Sequence, residues 1–192
     1  NVPAEGFICG VGRIDGRLVF AGAEDVTVLG GSIGSGGTAK RFRIAELALR
    51  QHHVLTRDQA FAAGLTGHQV DDRLASGAWQ HVARCVYAPA GVVVEPRGRL
   101  HGATLVIPGS VASHEAAGEL NGFPLGPPGL VVVSRADSRP NRSDLAEVRR
   151  LVDFRPEDHT VVDGIPTTTP LRTAADLAAV LGAKRYQQMV DE

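Results

Sequence analysis

Apolar and polar positions follow different periods along the chain, and each period predicts an element. Two alternating runs, ICGVGRI and RLVFAGA, flank Asp15-Gly16 and predict a hairpin. DVTVL at 25–29 predicts a further strand, and GGSIGSGG at 30–37 predicts a flexible link. The run TAKRFRIAELALRQ that follows predicts a helix built from good helix formers.

Two short helices are predicted next, because the same start and stop signals occur twice. Each helix opens with the capping-box pattern T-x-x-Q and closes at a glycine: Thr56, Gln59 and Gly64, then Thr66, Gln69 and Gly77. These signals predict helices over 57–63 and 67–76, joined by a tight turn. One shared core is expected from the apolar positions, which are Val54, Leu55, Ala60, Phe61, Leu65, Val70 and Leu74.

The run WQHVARCVYA predicts two short strands within 79–87, with Trp79 covering the open end of that core. One helix, two capped helices and a hairpin are the order of a winged helix-turn-helix. In that fold the second helix of the pair enters the major groove and the hairpin lies on phosphate. The pattern alone leaves two alternatives open, a plain α+β domain and a winged helix that binds protein.

The remaining residues predict a second, mixed unit. Two helices are expected within 96–122, the second with Ser113 at its N-cap. Later elements are strands at 130–134, at 147–154 and on both sides of Asp163-Gly164, and then the helix PLRTAADLAAVLG. The predicted fold class is α+β, with a β-rich segment at 1–40, a winged helix-turn-helix at 41–91 and a small α/β domain at 92–192.

Charge distribution, hydropathy and cysteine content indicate a reduced, cytoplasmic protein with a modest positive region. The 192 residues carry a formal net charge of −1, but residues 40–107 hold nine basic and five acidic side chains, a modest positive region. No apolar run reaches the roughly 18–20 residues of a membrane span. Cys9 and Cys85 lie far apart, which favours a reduced, cytoplasmic protein with no membrane partner. Because the sequence begins with Asn1, we expect it to be part of a longer reading frame.

No catalytic residue, metal or cofactor is expected. GGSIGSGG lacks the Lys-Ser/Thr pair of a phosphate-binding P-loop. HEAAG at 114–118 begins like a zinc-protease helix, but Gly118 stands in place of the second histidine, so His114 is expected to pack or to cap. The chain is therefore predicted not to be an enzyme.

The stretch HHVLTRDQAFAAGLTGHQVDDRLASGAWQHVARCVYAPAG resembles the N-terminal winged helix-turn-helix of the AbiEi family, the antitoxins of a type IV toxin–antitoxin system. PGSVASHEAAGELNGFP and DGIPTTTPLRTAADLA are similar to later motifs of that family, so the resemblance covers about 49–192. It implies an antitoxin and transcription regulator that binds double-stranded DNA at its own promoter, with a cognate toxin as a further partner. In many members a nuclease-like domain would follow where this chain ends.

The motif-matched positions imply a set of DNA contacts: Arg57, Thr66, His68, Gln69, Arg73, Gln80 and Arg84. Thr66 would meet phosphate at a helix N-terminus. Gln69 would suit an adenine edge and Arg73 a guanine edge, while the hairpin residues Gln80 and Arg84 would hold phosphate and His68 would assist.

Two features depart from the AbiEi pattern. Asp71-Asp72 stands where the second helix is often arginine-rich, and these carboxylates would repel phosphate. Cys85 stands where glycine is usual at the turn of the hairpin.

Residues 6–50 resemble a different family. G-x-G-R-I-D-G-R, D-x-T-V-x-G-G-S-x-G and K-x-x-R-x-x-E-L-A are similar to the N-terminal part of an acyl-CoA carboxylase carboxyltransferase subunit. The glycine-rich segments that would hold a thioester oxyanion do not follow, which predicts a junction of two gene fragments near Leu49–His53, either a natural gene fusion or an assembly error. Two alternatives to DNA binding remain: a non-catalytic protein-interaction module and, less favoured, a carboxyltransferase remnant.

Overall fold

The protein is described from a computed structural model that covers residues 7–14, 17–24, 35–125, 131–137 and 143–191. The described part is α+β, as predicted. Its elements are β1 Phe7–Ile14, β2 Arg17–Glu24, α1 Ser35–Arg50, β3 Leu55–Thr56, α2 Arg57–Ala62, α3 Gly67–Ala75, β4 Trp79–Ala83, β5 Val86–Pro89, α4 Pro96–Val106, β6 Val111–Ala112, α5 His114–Leu120, β7 Val132–Arg135, β8 Glu147–Arg150, β9 His159–Val162, β10 Ile165–Thr168, α6 Pro170–Val180 and α7 Ala183–Asp191.

Strands β1 and β2 form the hairpin expected at the start of the chain. They pair antiparallel along their whole length, with Ile14 opposite Arg17. The expected turn residues Asp15-Gly16, the strand at 25–29 and residues 30–34 of the glycine-rich run lie outside the described residues. Helix α1 begins at Ser35, so the last three residues of that run are helical and not part of a link.

Residues 41–91 build a small core between three helices and a three-stranded antiparallel sheet of order β3-β5-β4. Ile44 and Ala48 of α1 pack there with Tyr87 of β5, while Leu74 and Trp79 cover the cluster. The expected core positions Leu55, Ala60, Leu65 and Val70 are buried in it. Two expected members are not in this cluster. Phe61 is 41% exposed on the outer side of α2, and Val54 belongs to the neighbouring core.

Residues 92–191 build a mixed five-stranded sheet of order β8-β7-β6-β10-β9. Helices α4, α5 and α6 pack near it, and Ile165 and Leu177 are fully buried. Ser113 stands at the N-cap of α5 but makes no side-chain cap bond. Its hydroxyl lies 2.6 Å from the hydroxyl of Ser134 on β7, so it joins two elements of the sheet layer. The two-residue strand β6 and the helix α7 were not predicted.

The two units share one apolar cluster across the boundary predicted at residue 91. Val54 and Val86 are completely buried among residues of the second unit, which include Leu100, Ala103, Ala112, Val133 and Ile165. The turn before β3 also contacts α4: the His52 ring lies 5.5 Å from the His101 ring, and His52 Nε2 is 3.1 Å from the Asp163 carbonyl. This contact fixes residues 41–91 on the five-stranded sheet.

Gly98 permits the close approach of α4 to that turn. A Cβ at this position would lie 2.6 Å from the His52 carbonyl oxygen. Alanine inside a helix ordinarily stabilises it by roughly 0.5–1 kcal/mol relative to glycine. Here we expect Gly98→Ala to lower the free energy of unfolding by about 1–3 kcal/mol, as overpacking does. Urea titration measures this loss. Gly182→Ala is the control because a Cβ there meets nothing within 4 Å, and equal midpoints for the two variants would contradict the expectation.

His101 makes stability depend on pH. It is 5% exposed, and its Nδ1 has no hydrogen-bond partner. Burial, and secondarily the charge of His52, lower the pKa of His101 to about 4. As the pH falls, His101 of the unfolded chain therefore takes up a proton before His101 of the folded chain. The contribution of neutral, buried His101 to the free energy of unfolding is complete above pH 6.5 and is lost as the pH falls toward 4. The loss amounts to about 3 kcal/mol. Denaturation curves of wild type and His101→Gln should diverge over this range, and parallel pH profiles would refute the assignment.

Candidate nucleic-acid interface

Helices α2 and α3 meet at a short turn whose geometry is set by local signals. Gly64 has a φ of +94°, the left-handed conformation that ends α2. Thr56 and Thr66 cap the two helices, and each box is closed in both directions by its glutamine. Both predicted capping boxes are therefore confirmed.

The cap of α3 uses the atoms that were expected to read a base. Gln69 Oε1 accepts a hydrogen bond from the Thr66 N–H at 3.1 Å, and the Gln69 N–H donates to the Thr66 hydroxyl at 3.2 Å. A two-bond contact with adenine needs both ends of the amide. The closed box engages one lone pair of the Gln69 side-chain oxygen, so Gln69 holds its cap in the free protein, and its adenine contact stays a prediction.

Arg73 lies half-buried along α3 and does not project straight outward. Its Nη1 donates to the Gln69 carbonyl at 2.8 Å, and its guanidinium carbon lies 5.7 Å from the centroid of the Trp79 ring. The pKa of Arg41 on α1 is lowered by burial and then by the positive charge of Arg73. Helices α1 and α3 therefore bring two cations together on one side of the small core.

The exposed polar side chains of α3 are His68, Asp71 and Asp72. His68 Nδ1 lies 3.4 Å from an oxygen of Asp72, one helical turn away. Both carboxylate side chains are 60% exposed. The outer surface of this helix is thus acidic, and the cations lie at its edges.

Arg57 links α2, α3 and β5. Its Nη2 donates to Asp71 Oδ1 at 2.8 Å and its Nη1 to the Tyr87 hydroxyl at 3.3 Å, while its guanidinium carbon lies 5.5 Å from the Phe61 ring centroid. The hydrogen bonds with Tyr87 and then with Asp71 raise the pKa of Arg57. No local pattern predicts the Arg57–Asp71 pair, because the two residues are 14 positions apart.

The hairpin β4–β5 has the expected two strands, with Ala83 opposite Val86 and Arg84 and Cys85 at its tip. Both tip residues are exposed. Cys85 has a φ of +62°, the left-handed conformation that glycine adopts without a steric cost, in agreement with the expectation of glycine at this turn.

Gln80, which was predicted to contact phosphate, has a structural role in this hairpin of the unbound protein. Its amide nitrogen donates to the Pro89 carbonyl at 3.1 Å and to the Val92 carbonyl at 2.6 Å. These bonds use both of its N–H groups to hold the end of β5 against β4. Gln80 therefore has no donor left for phosphate.

His114 is a packing residue, as expected. It is buried at the start of α5, and its Nδ1 lies 3.1 Å from the Ser113 hydroxyl. Burial, and next the charge of Arg149, lower the pKa of His114. Its neighbour Ser113 is completely buried, so a substrate has no access to this hydrogen-bonded group.

Comparisons with known proteins cover little of the chain. No family model matches it. A stretch of 50 residues, 26% of the chain, is 49% identical to methylmalonyl-CoA decarboxylase subunit alpha of Veillonella parvula. That stretch spans 10% of the decarboxylase subunit, so the chain covers only a small part of that protein's length. Within the described part of the chain, the helices are too short or too polar to cross a membrane.

Proposed function

We propose that this chain binds double-stranded DNA through residues 41–91, which act as a winged helix-turn-helix in a regulator of the AbiEi antitoxin type. The observation that carries the proposal is the arrangement of two capped helices and a short hairpin around one core. Arg84 at the hairpin tip and the neighbouring Arg41 and Arg73 supply positive charge. The DNA site is the promoter of the chain's own operon, and the regulated partner is a cognate toxin.

Phosphate contacts supply most of the binding in this proposal. Arg84 would lie on the backbone from the hairpin, and the first turn of α3, capped by Thr66, would receive a second phosphate. Arg73 is the base-reading candidate, since its stacked guanidinium can leave Trp79 for a guanine edge. His68 is exposed at the start of α3 and would assist, whereas Gln69 would act chiefly through its cap.

A protein-interaction module is the second candidate, and the acidic surface of α3 favours it. Asp71 and Asp72 are each 60% exposed on the helix that would enter the groove. Such carboxylates repel phosphate but suit a basic protein partner. A partner docked on this surface would bind the chain equally well after nuclease treatment.

We propose no catalytic activity for this chain. Residues 6–50 are interpreted as a piece of a carboxyltransferase-like sequence joined to the regulator. The 50-residue similarity to a decarboxylase subunit supports that interpretation. An assay for carboxyl transfer to an acyl-CoA should give no turnover above background.

The DNA proposal is tested by Arg84→Ala with Arg155→Ala as its control. Both variants remove one exposed arginine, but Arg155 lies next to the five-stranded sheet and its side chain is 71% exposed there. Fluorescence anisotropy with a duplex from upstream of the gene should show wild-type binding that weakens with salt. Arg84→Ala should weaken it about 3- to 10-fold and reduce the salt slope by about 0.9, as loss of one phosphate contact does.

Arg155→Ala should bind as wild type does. No binding of the wild type at 50 mM salt would reject the proposal, and equal losses in the two variants would reject the role of the hairpin. Capture of a protein partner that persists in high salt and nuclease would favour the second candidate.

A further inference from the structure

Arg57 is one of the implied DNA contacts, and its charge is paired across the helix pair. Asp71 accepts its Nη2 at 2.8 Å, and Tyr87 accepts its Nη1 at 3.3 Å. The Arg57 side chain is 31% exposed and that of Asp71 is 60% exposed. A pair in this setting is screened by water and contributes little to folding stability, so it separates at low cost.

The Arg57 guanidinium lies where it can contact an anion that approaches the N-terminus of α3. A Cβ on Gly67, the first residue of α3, would lie 3.6 Å from Arg57 Nη2. The Nη2 group therefore lies beside the first turn of the helix, where unpaired backbone N–H groups favour negative charge. A phosphate there would meet both the guanidinium and the helix start, whereas the Asp71 carboxylate meets only the guanidinium in the unbound protein.

We propose that Asp71 holds Arg57 in the free protein and is displaced by a DNA phosphate, which makes Asp71 a determinant of specificity. This inference rests on the proposed DNA binding. A guanidinium group binds phosphate through two parallel hydrogen bonds. These bonds compensate for the lost Arg57–Asp71 interaction only when the phosphate is placed to accept both. A loosely held, non-specific duplex leaves Arg57 with Asp71, so the pair weakens non-specific binding more than specific binding.

Asp71 and Asp72 form a matched experimental pair. They are adjacent on α3 and equally exposed, but Asp71 pairs with Arg57 and Asp72 with His68. Changing either one to asparagine removes one negative charge near DNA and keeps the size of the side chain. Only the change at Asp71 releases Arg57.

The test measures binding of Asp71→Asn and Asp72→Asn to a random-sequence duplex by anisotropy from 50 to 200 mM salt. Asp71→Asn should bind about 3- to 10-fold more tightly than wild type and steepen the salt slope by about 0.9, the value for one added phosphate contact. Asp72→Asn should bind modestly more tightly through reduced repulsion alone. Both measurements are repeated with Arg57→Gln in the background, where the gain from Asp71→Asn should fall to that from Asp72→Asn.

Each result decides one of the two proposals. If the gain from Asp71→Asn survives in Arg57→Gln, or equals that from Asp72→Asn at the outset, the displacement of Asp71 is refuted while DNA binding stands. If wild type and both variants fail to bind both the random-sequence duplex and the duplex from upstream of the gene at 50 mM salt, the proposed function fails and this inference fails with it. Circular dichroism checks that Arg57→Gln folds. Arg57→Lys replaces it if it does not, since lysine lacks the two-bond geometry and should also shrink the gain from Asp71→Asn.

Discussion

Burial of Val54 and Val86 beneath the second unit joins residues 41–91 to the five-stranded sheet. Both valines come from the sheet region of residues 41–91, yet their side chains are completely enclosed by α4 and the five-stranded sheet. Enclosed apolar surface of this kind contributes roughly 1.5–3 kcal/mol for each side chain. It also fixes direction, because the turn at His52 can pack on α4 only where Gly98 leaves room. The helix pair and the hairpin are therefore held at one orientation on a larger body.

Competition for hydrogen-bonding atoms shapes the candidate interface. The amides of Gln69 and Gln80 stabilise a helix start and a strand end, and the guanidinium of Arg57 joins three elements. Internal bonds of this kind hold each group in one position and limit how freely it can turn toward a base. The exposed carboxylates of α3 add repulsion toward phosphate. Selectivity in such an interface depends on which internal bonds a ligand can replace, and only a well-placed anion can replace the bond to Asp71.

Helix α1 ends at the proposed junction between two parts of the chain. It runs unbroken from Ser35 to Arg50, and its C-terminal half contributes Ile44 and Ala48 to the core of residues 41–91. The proposed junction near Leu49–His53 thus falls at the end of a helix that the small core already needs. Ile44 and Ala48 stand one turn apart on this helix, and both are buried. The β1–β2 hairpin precedes this helix, and its strands pair with each other.

Signals within a few residues of one another were sufficient to determine the local elements. The capping boxes at Thr56 and Thr66, the left-handed Gly64 and Gly77, and the turn at Asp163-Gly164 all arise from short-range bonds and conformational preferences that the sequence displays. Tertiary structure alone decided the two-residue strands β3 and β6, which exist only because a longer strand pairs with them. Tertiary contacts also determine that Phe61 is exposed, that the Ser113 hydroxyl bonds to Ser134 and that Arg57 pairs with Asp71. Such partners are distant in sequence, and no local pattern encodes which of several nearby groups a side chain will meet.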